Sequence, residues 1–314
     1  MLDPTKIFNE LKDQLFRLDE QREEYHKKVE PFRYFFWTVF ILGGAFIIIQ
    51  INLNKFGFDA GDTPPFVIIL YVIVSAIALI LFGLVKKKRT AQFKEEFAKQ
   101  IAPYLIRGLD PSIKYIYDGK IPKSTLQSSG LFDTFETYTC QDLISGTVND
   151  VTIQFAEISL LKMTMVGTTP APSFQFNGFF YEVNLDISFP ANIWIVPKKF
   201  QIEKHVRTHS KLKVDHSISK KYVFYTENEE QALSILQTAI LDRLSQVNSK
   251  LTGNKIAKSD IGFHFGGKQV QVAFQSKRKF MEPKLGRSIN TLKFIEEQTI
   301  LINAVQSLIE DLGS

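Results

Sequence analysis

The sequence predicts an α+β protein: a two-helix transmembrane hairpin, then a cytoplasmic antiparallel-sheet domain with two long packed helices. Three observations predict this arrangement. Two uncharged apolar runs lie close together near the N-terminus, basic residues flank the pair on its outer sides, and short strand-like segments separated by turns follow. The expected boundaries are residues 1–33 for an amphipathic N-terminal helix, 34–85 for the spans, 86–108 for a basic linker helix and 109–314 for a soluble α+β domain.

The N-terminal helix is predicted from apolar residues that recur every three or four positions between charged ones. Asp3-Pro4 is a suitable start, because proline fits the first helical turn. A narrow apolar seam on a charged helix is typical of a coiled coil. Two interpretations stay open: the helix folds back onto its own soluble domain or pairs with the predicted helix at 90–105, or it associates with a partner or a second copy. The seam residues are Phe8, Leu11, Leu15, Leu18, Tyr25 and Val29.

The two apolar runs cover residues 34–53 and 66–85. Each has about the ~20 residues that a helix needs to cross a bilayer. Neither contains a charged side chain, which at mid-membrane would cost about 2.5–3.5 kcal/mol. A cleaved signal peptide is a poor explanation for the first run, because a long, highly charged segment precedes it. Two transmembrane helices are therefore predicted.

The orientation of the spans follows from the positive-inside rule. The connection at 54–65 is short, rich in glycine and proline, and carries one basic residue, Lys55. Both termini are therefore expected in the cytoplasm, with the short loop outside and the chain in the cell (inner) membrane. Gly43-Gly44 would let the two helices approach closely. The basic residues on the outer sides are Lys27, Lys28 and Arg33, then Lys86, Lys87, Lys88 and Arg89.

The soluble domain is predicted from hairpins followed by helices, a pattern typical of an antiparallel α+β fold. Asn149-Asp150 and Gly266-Gly267 are expected to be hairpin turns, and 168–172, with its two prolines, a mobile loop tip. Asn228 is a suitable N-cap. The predicted strands are 136–145, 152–163, 179–188, 192–196, 222–225, 261–265 and 269–274, and the predicted helices are 229–251 and 288–312.

Positive charge is concentrated between residues 198 and 221, in a chain of net charge +5. Basic patches on a tethered domain can contact anionic lipid headgroups, at about 1 kcal/mol per basic residue near the surface. Nucleic acid is a less favoured polyanion because no nucleic-acid fold signature is present, and a solvated loop without a partner is the plainer alternative. The predicted contacts with the membrane surface or a polyanion are Lys86, Lys87, Lys88, Arg89, Lys198, Lys199, Lys204, Arg207, Lys211 and Lys213.

No cofactor, metal site or catalytic residue is predicted. His205 and His209 have metal-ligand spacing on a helix, but the segment lacks the glutamate of a zinc-peptidase motif and is crowded with positive charge. Cys140, the only cysteine, excludes an intrachain disulfide and is expected to be a buried strand residue. The aromatic segment 174–189 is expected to be sheet core, to line an apolar cleft or to form an edge that dips into the membrane. Four isolated acidic residues are candidate site residues or turn residues: Asp142, Glu157, Asp186 and Asp215.

From about residue 35 to its end, the chain resembles an uncharacterised bacterial membrane-protein family, the domain of unknown function numbered 3137. The landmarks, after the twin span and its basic stop, are Ser128-Ser129-Gly130-Leu131-Phe132, Tyr138 through Asp142, Gly146, Phe155-Ala156-Glu157, Phe176-Asn177-Gly178-Phe179-Phe180, Ile195-Val196-Pro197 and Tyr222-Val223-Phe224-Tyr225-Thr226. The resemblance implies a bacterial cell-membrane protein. It supplies no activity, cofactor or catalytic residue, and it points to a small LemA-type membrane protein as a partner.

The function expected from these features is a membrane-anchored cytoplasmic scaffold, adaptor or sensor that binds a protein partner or the anionic inner leaflet. Two alternatives stay open. One is an enzyme acting at the membrane, which a deep pocket with two or more acidic or histidine residues near 174–189 would favour. The other is a subunit of a channel or transport complex.

Overall fold

The computed structural model describes residues 2–55, 65–108, 110–148, 151–253, 255–258, 261–276 and 278–312. The chain forms two compact units. The sheet unit contains Met1–Glu10, Ala98–Glu282 and Leu292–Ser314, and the helical unit contains Leu11–Phe97 and Pro283–Thr291. The elements are α1 Pro4–Lys55, α2 Pro65–Gln100, α3 Ala102–Arg107, β1 Lys114–Ile116, α4 Lys123–Ser128, β2 Thr137–Val148, β3 Val151–Val166, β4 Thr169–Pro197, β5 Ser210–Leu212, β6 Tyr222–Thr226, α5 Glu229–Ile235, α6 Thr238–Gly253, β7 Gly262–Gln275 and α7 Leu292–Leu312.

The two N-terminal helices are longer than the predicted elements. The predicted N-terminal helix and first span are one helix, α1, which continues through Pro31 without a break. The second span continues through the basic residues to the end of α2, so the predicted linker helix is divided between α2 and α3. Most of the predicted turn at 54–65 lies outside the described residues.

Both long helices are apolar enough to cross a membrane. In the most apolar 18-residue stretch of α1, none of the residues is buried. In the corresponding stretch of α2, 6% of the residues are buried. A core helix of a soluble protein would bury most of such a window. The exposed side chains include Leu42 and Ile48 of α1 and Leu84 of α2. The two helices could therefore span a membrane, while the direction of insertion remains a prediction.

Gly43 allows a close contact between the two predicted spans. A Cβ at Gly43 would lie 2.0 Å from the Tyr71 ring, and the Tyr71 hydroxyl donates to the carbonyl oxygen of Phe40 at 3.0 Å. The Phe36 and Phe82 rings stack with their centroids 6.4 Å apart. Gly43 therefore leaves space for the Tyr71 ring of the second span, while a close approach of the two helix backbones remains a prediction.

Much of the apolar seam of α1 is buried within this chain. Leu11, Leu15 and Leu18 are fully buried, whereas Phe8 and Tyr25 are half-buried. Phe93 and Phe97 of α2 are also fully buried in the helical unit. Burial of the seam within the chain favours the interpretation in which α1 packs back onto its own chain. Association with a partner remains a prediction.

Arg22, which lies on α1 between the seam residues Leu18 and Tyr25, anchors the 283–291 segment. Its guanidinium donates to the Leu285 carbonyl oxygen at 2.6 Å and to Asp19 at 2.6 Å. Asp19 also accepts from the Ile289 amide at 2.9 Å and the Ser288 hydroxyl at 2.8 Å. Burial raises the pKa of the Asp19 carboxyl, but the hydrogen bonds from Arg22, Ile289 and Ser288 outweigh burial and hold that pKa below its usual value.

The seven described strands form one antiparallel sheet of order β1-β2-β3-β4-β6-β5, with β7 paired to β4. Strand β4 has 29 residues and pairs with β3, β6 and β7. It is therefore the central strand of the sheet. Helices α6 and α7 pack against each other. The predicted α+β class, with an antiparallel sheet and two packed helices, is confirmed.

Four local predictions were wrong. The two strands expected around Pro190 are one strand, β4, with irregular register between Asn184 and Ile193. The hairpin expected at Gly266-Gly267 is also one strand, β7, in which Gly267 has a positive φ of 55°. The expected loop tip at 168–172 mostly belongs to β4, because pairing with β3 continues to Thr169. The expected helix 229–251 is divided into α5 and α6.

Two of these errors, at Pro190 and at Gly266-Gly267, share one physical reason. Proline and glycine signals describe local backbone preference, whereas the 29-residue β4 provides hydrogen-bond partners along almost the whole of β7. At the helix break, Leu236 has ψ of 56°, outside the helical region. The predicted cap is confirmed, since the Asn228 side chain accepts from the Gln231 amide at 3.1 Å. The predicted turn at Asn149-Asp150 lies outside the described residues.

Candidate functional site

An aromatic cleft lies where β4 ends on the sheet unit. Its volume is about 690 Å³. The rings of Phe132 and Phe176 pack edge to face with their centroids 4.9 Å apart, and those of Phe176 and Phe200 do so with their centroids 6.4 Å apart. Among the residues that the structure describes, the lining consists of Phe132, Asp133, Phe174, Gln175, Phe176, Pro197, Lys198, Lys199, Phe200, Gln201, Lys221 and Gln275.

The described lining of this cleft contains three exposed lysines and a single carboxylate, Asp133. Lys198 and Lys199 belong to the turn after β4, which is closed by a hydrogen bond from the Phe200 amide to the Pro197 carbonyl oxygen at 2.8 Å. The Lys198 amide donates to the carbonyl oxygen of Lys221 at 3.0 Å. Residues 23 positions apart thus meet because the end of β4 pairs with the start of β6. The cleft combines aromatic walls with net positive charge.

A histidine cluster lies at the opposite end of β6. His205 and His209 flank a 3-10 turn, Val206–Thr208, instead of lying on a longer helix. Their Nε2 atoms are 3.3 Å apart. Glu227 joins them, with its Oε1 atom 3.8 Å from His209 Nε2. One potential ligand atom from each residue lies within 4.8 Å of the others.

Strand register explains why Glu227 reaches the histidines. Ser210 pairs with Thr226 in the antiparallel β5–β6 ladder, so His209 and Glu227 are the next pair along. Ile193 of β4 also pairs with Thr226 on its other side, which brings Asn192 beside Glu227. The Asn192 amide donates to Glu227 Oε2 at 3.0 Å.

Trp194 lies between two histidine rings. Its ring stacks on that of His209, with the ring centroids 5.3 Å apart and the planes 9° from parallel. It also stacks on the His264 ring, with a centroid distance of 4.9 Å and an interplanar angle of 11°. The indole N–H donates to the Ser129 carbonyl oxygen at 2.8 Å. Trp194 is 3% exposed, so this sandwich restricts the plane of His209 from the core side.

A buried polar chain continues from the sandwich into the sheet. His264 Nδ1 lies 2.9 Å from Gln271 Oε1, and Gln271 Nε2 donates to Glu182 Oε2 at 2.6 Å. Burial lowers the pKa of His264 and outweighs the hydrogen bond from Gln271 and the charge of Glu227. Burial also raises the pKa of Glu182, against the hydrogen bond from Gln271. Both groups are therefore shifted towards their neutral forms.

The predicted basic contacts divide among different places. Lys198 and Lys199 lie at the cleft. Lys204 and Arg207 are exposed at the 3-10 turn, and Lys213 is also exposed. The Nζ atom of Lys211 lies 5.8 Å from the centroid of the Tyr225 ring. The Lys86–Arg89 run belongs to α2 in the helical unit. Their contact with a membrane surface or a polyanion remains a prediction.

The four acidic candidates do not line the cleft. Glu157 is buried and accepts from the Phe280 amide at 3.1 Å and from Lys279. Asp142 is buried, has a positive φ of 58° and accepts from the Tyr115 hydroxyl. Asp186 and Asp215 are exposed. The two buried carboxylates have local partners, which suits a structural role.

Sequence reasoning did not identify Phe132, Phe200, Asn192 or Glu227 as site residues. Glu227 lies two residues after the predicted strand 222–225. The sequence around it does not reveal the β5–β6 register that aligns Glu227 with His209. Cys140, by contrast, was assigned correctly: it is buried, and burial raises the pKa of its thiol.

Comparisons with known proteins agree with the resemblance inferred from the sequence over the C-terminal part of the chain; the landmarks before residue 174 lie outside the family match. Residues 174–313 match the family model described as "Protein of unknown function (DUF3137)", and this segment is a domain of unknown function. The crystal structure of the mycobacterial trehalose monomycolate transport factor A is similar at 8% identity and a TM-score of 0.33, covering 65% of this chain and 94% of that one. No curated protein matches the chain.

Proposed function

We propose that this chain, whose residues 174–313 match a domain of unknown function, is a membrane-anchored cytoplasmic adaptor or sensor that binds an anionic lipid of the inner leaflet. The observation that carries the proposal is the joint presence of Lys198, Lys199, Lys221 and an exposed Phe174 at one aromatic cleft. An anionic amphiphile has both a charged headgroup and an apolar body, and this cleft has a complement for each.

The chemistry of the lining supports a charged headgroup. Three lysines against one aspartate leave an excess of positive charge around the opening. Each basic residue near an anionic lipid surface contributes about 1 kcal/mol. A lysine ammonium donates in several directions, which suits a phosphate whose oxygens are presented at varied angles.

The aromatic side chains support an apolar body. Phe174 is 69% exposed, an unusual state for a phenylalanine beside its buried neighbour Phe176. An acyl chain in the cleft would cover this ring. The two long helices supply the anchor, and the positive-inside rule supports a cytoplasmic position for the domain.

An enzyme in the cleft is less well supported. A deep pocket with two or more acidic or histidine residues would favour an enzyme. The described lining contains one aspartate and no histidine. General acid–base chemistry normally uses a positioned carboxylate or imidazole pair.

The test is equilibrium binding of a short-chain phosphatidylglycerol to the full-length protein in neutral detergent, compared with phosphatidylcholine of the same chain length. The triple variant Lys198→Gln, Lys199→Gln and Lys221→Gln is expected to bind phosphatidylglycerol at least about tenfold more weakly. Phe174→Ser is expected to weaken binding of both lipids, because it removes apolar contact while the ring is already 69% exposed in the folded chain.

The matched control removes the same charge from exposed lysines that lie outside the cleft and outside the predicted basic contacts: Lys114→Gln, Lys258→Gln and Lys268→Gln. This control is expected to retain wild-type affinity. Equal loss in both triple variants would show a diffuse charge effect, and unchanged affinity in the cleft variant would reject the proposal.

A further inference from the structure

We propose that His205, His209 and Glu227 form a binding site for a divalent transition-metal cation of the Zn²⁺ type, with one coordination position open to water or a small ligand. Two imidazoles and one carboxylate form a ligand set found in zinc sites that retain an open position. This inference is independent of the proposed lipid binding, because none of the three residues lines the cleft.

The spacing of the two histidines fits such an ion. Two nitrogen ligands at about 2.05 Å from a tetrahedral ion are about 3.3 Å apart, and the observed separation of the Nε2 atoms is 3.3 Å. Glu227 Oε1 is 3.8 Å from His209 Nε2. The Glu227 side chain is 46% exposed, so a small side-chain rotation can shorten this distance without repacking the core.

Groups outside the ligand set support it. Glu227 Oε2 accepts from the Asn192 amide at 3.0 Å, which orients the carboxylate. The distal nitrogen of His205, Nδ1, has Glu203 Oε2 at 3.7 Å, and His209 is stacked on Trp194. Carboxylates behind ligand histidines orient the ring and raise its basicity.

The absence of a side chain at Gly266 leaves space for the Asn192 side chain that orients Glu227. Gly266 of β7 approaches Asn192 so closely that a Cβ would lie 2.1 Å from Asn192 Oδ1. Asn192 therefore has space for the conformation that reaches Glu227 only because residue 266 lacks a side chain.

The local positive charge, which argued against a metal in the sequence, is offset in the fold. Glu227 and Glu203 place two carboxylates around the imidazoles. Lys204 and Arg207 are exposed, so water and salt screen their repulsion.

The test uses the full-length, tag-free protein after chelator treatment, titrated with Zn²⁺ alone and with Co²⁺ alone. We expect one metal ion per chain and visible Co²⁺ absorption typical of four-coordinate geometry. His205→Ala and Glu227→Gln are each expected to weaken metal binding at least about 100-fold, and Glu203→Gln about tenfold. The His205 and Glu227 side chains are 60% and 46% exposed, so these variants should fold.

His216→Ala is the matched control, because His216 lies in the same basic stretch but contacts Asp242 at 3.1 Å. It is expected to retain wild-type affinity. Binding that is substoichiometric, unchanged by His205→Ala, or equally weakened by His216→Ala would overturn the proposal and leave a simple hydrogen bond between His205 and His209.

Discussion

Burial has opposite effects on the pKa values of the two titratable side chains that Gln271 connects. His264 loses affinity for a proton, whereas Glu182 gains it, because each charged form is desolvated in the sheet. Their neighbours do not fully offset this desolvation. Gln271 is neutral, and the hydrogen bonds that connect Glu227 with His264 pass through Asn192. At the scale of a residue, the buried polar chain is therefore a source of pH dependence.

We predict that His264 makes the folded protein less stable as the pH falls below 6.5, the ordinary pKa of histidine. The pKa of folded His264 is lower, so between the two values the unfolded chain binds the proton more strongly and the free energy of unfolding decreases. This contribution reaches up to about 1.4 kcal/mol per pH unit. Chemical denaturation of the full-length protein across this pH range, compared with His264→Gln, measures it.

Glu182→Gln is the comparison variant: it keeps His264 and removes a titration of opposite sign, so its loss of stability as the pH falls below 6.5 should be at least as steep as in the wild type. Glu182 itself acts with the opposite sign: its raised pKa stabilises the fold below 4.5, and this stabilisation is lost as the pH rises through the folded-state value. Parallel pH slopes for the wild type and His264→Gln would contradict the prediction.

At the scale of an element, β4 organises the sheet unit. Its first part pairs with β3, its last part with β6, and β7 follows it from Gly178 to Ile195. The cleft and the histidine cluster both depend on the β4–β6 pairing. One strand therefore positions two candidate sites.

We predict that Gly178→Ala destabilises this strand pair by about 1–3 kcal/mol. A Cβ at Gly178 would lie 2.1 Å from the carbonyl oxygen of Phe274, and this backbone atom cannot move without disturbing β7. The denaturation midpoint of the full-length protein checks the effect. Gly253→Ala is the matched control, because a Cβ there meets nothing within 4 Å; it should be neutral or stabilising by up to about 1 kcal/mol. Equal stability of the two variants would contradict the argument from close approach.

At the scale of the whole molecule, the charge distribution predicts the direction of insertion. Basic residues lie outside both apolar runs, and one lysine lies in the segment between them. Asymmetry of this kind sets orientation in the membrane.

We predict that a cysteine introduced by Gly61→Cys reacts with a membrane-impermeant maleimide on intact cells, whereas Lys6→Cys and Lys213→Cys react only after permeabilisation. The native thiol gives little background because Cys140 is buried, and the unaltered protein is the control. Labelling of Lys213→Cys on intact cells would place the sheet unit outside and remove the basis for binding to the inner leaflet.

The sequence by itself determined the membrane-like helices, the antiparallel α+β class, the Asn228 cap and the burial of Cys140. These features depend on local composition and periodicity, which a single sequence contains. Only the tertiary structure decided that β4 and β7 are continuous strands, that Lys198 and Lys221 meet at an aromatic cleft, and that Glu227 joins His205 and His209. Those features depend on the register between distant strands, which arises from long-range packing and leaves no local signal.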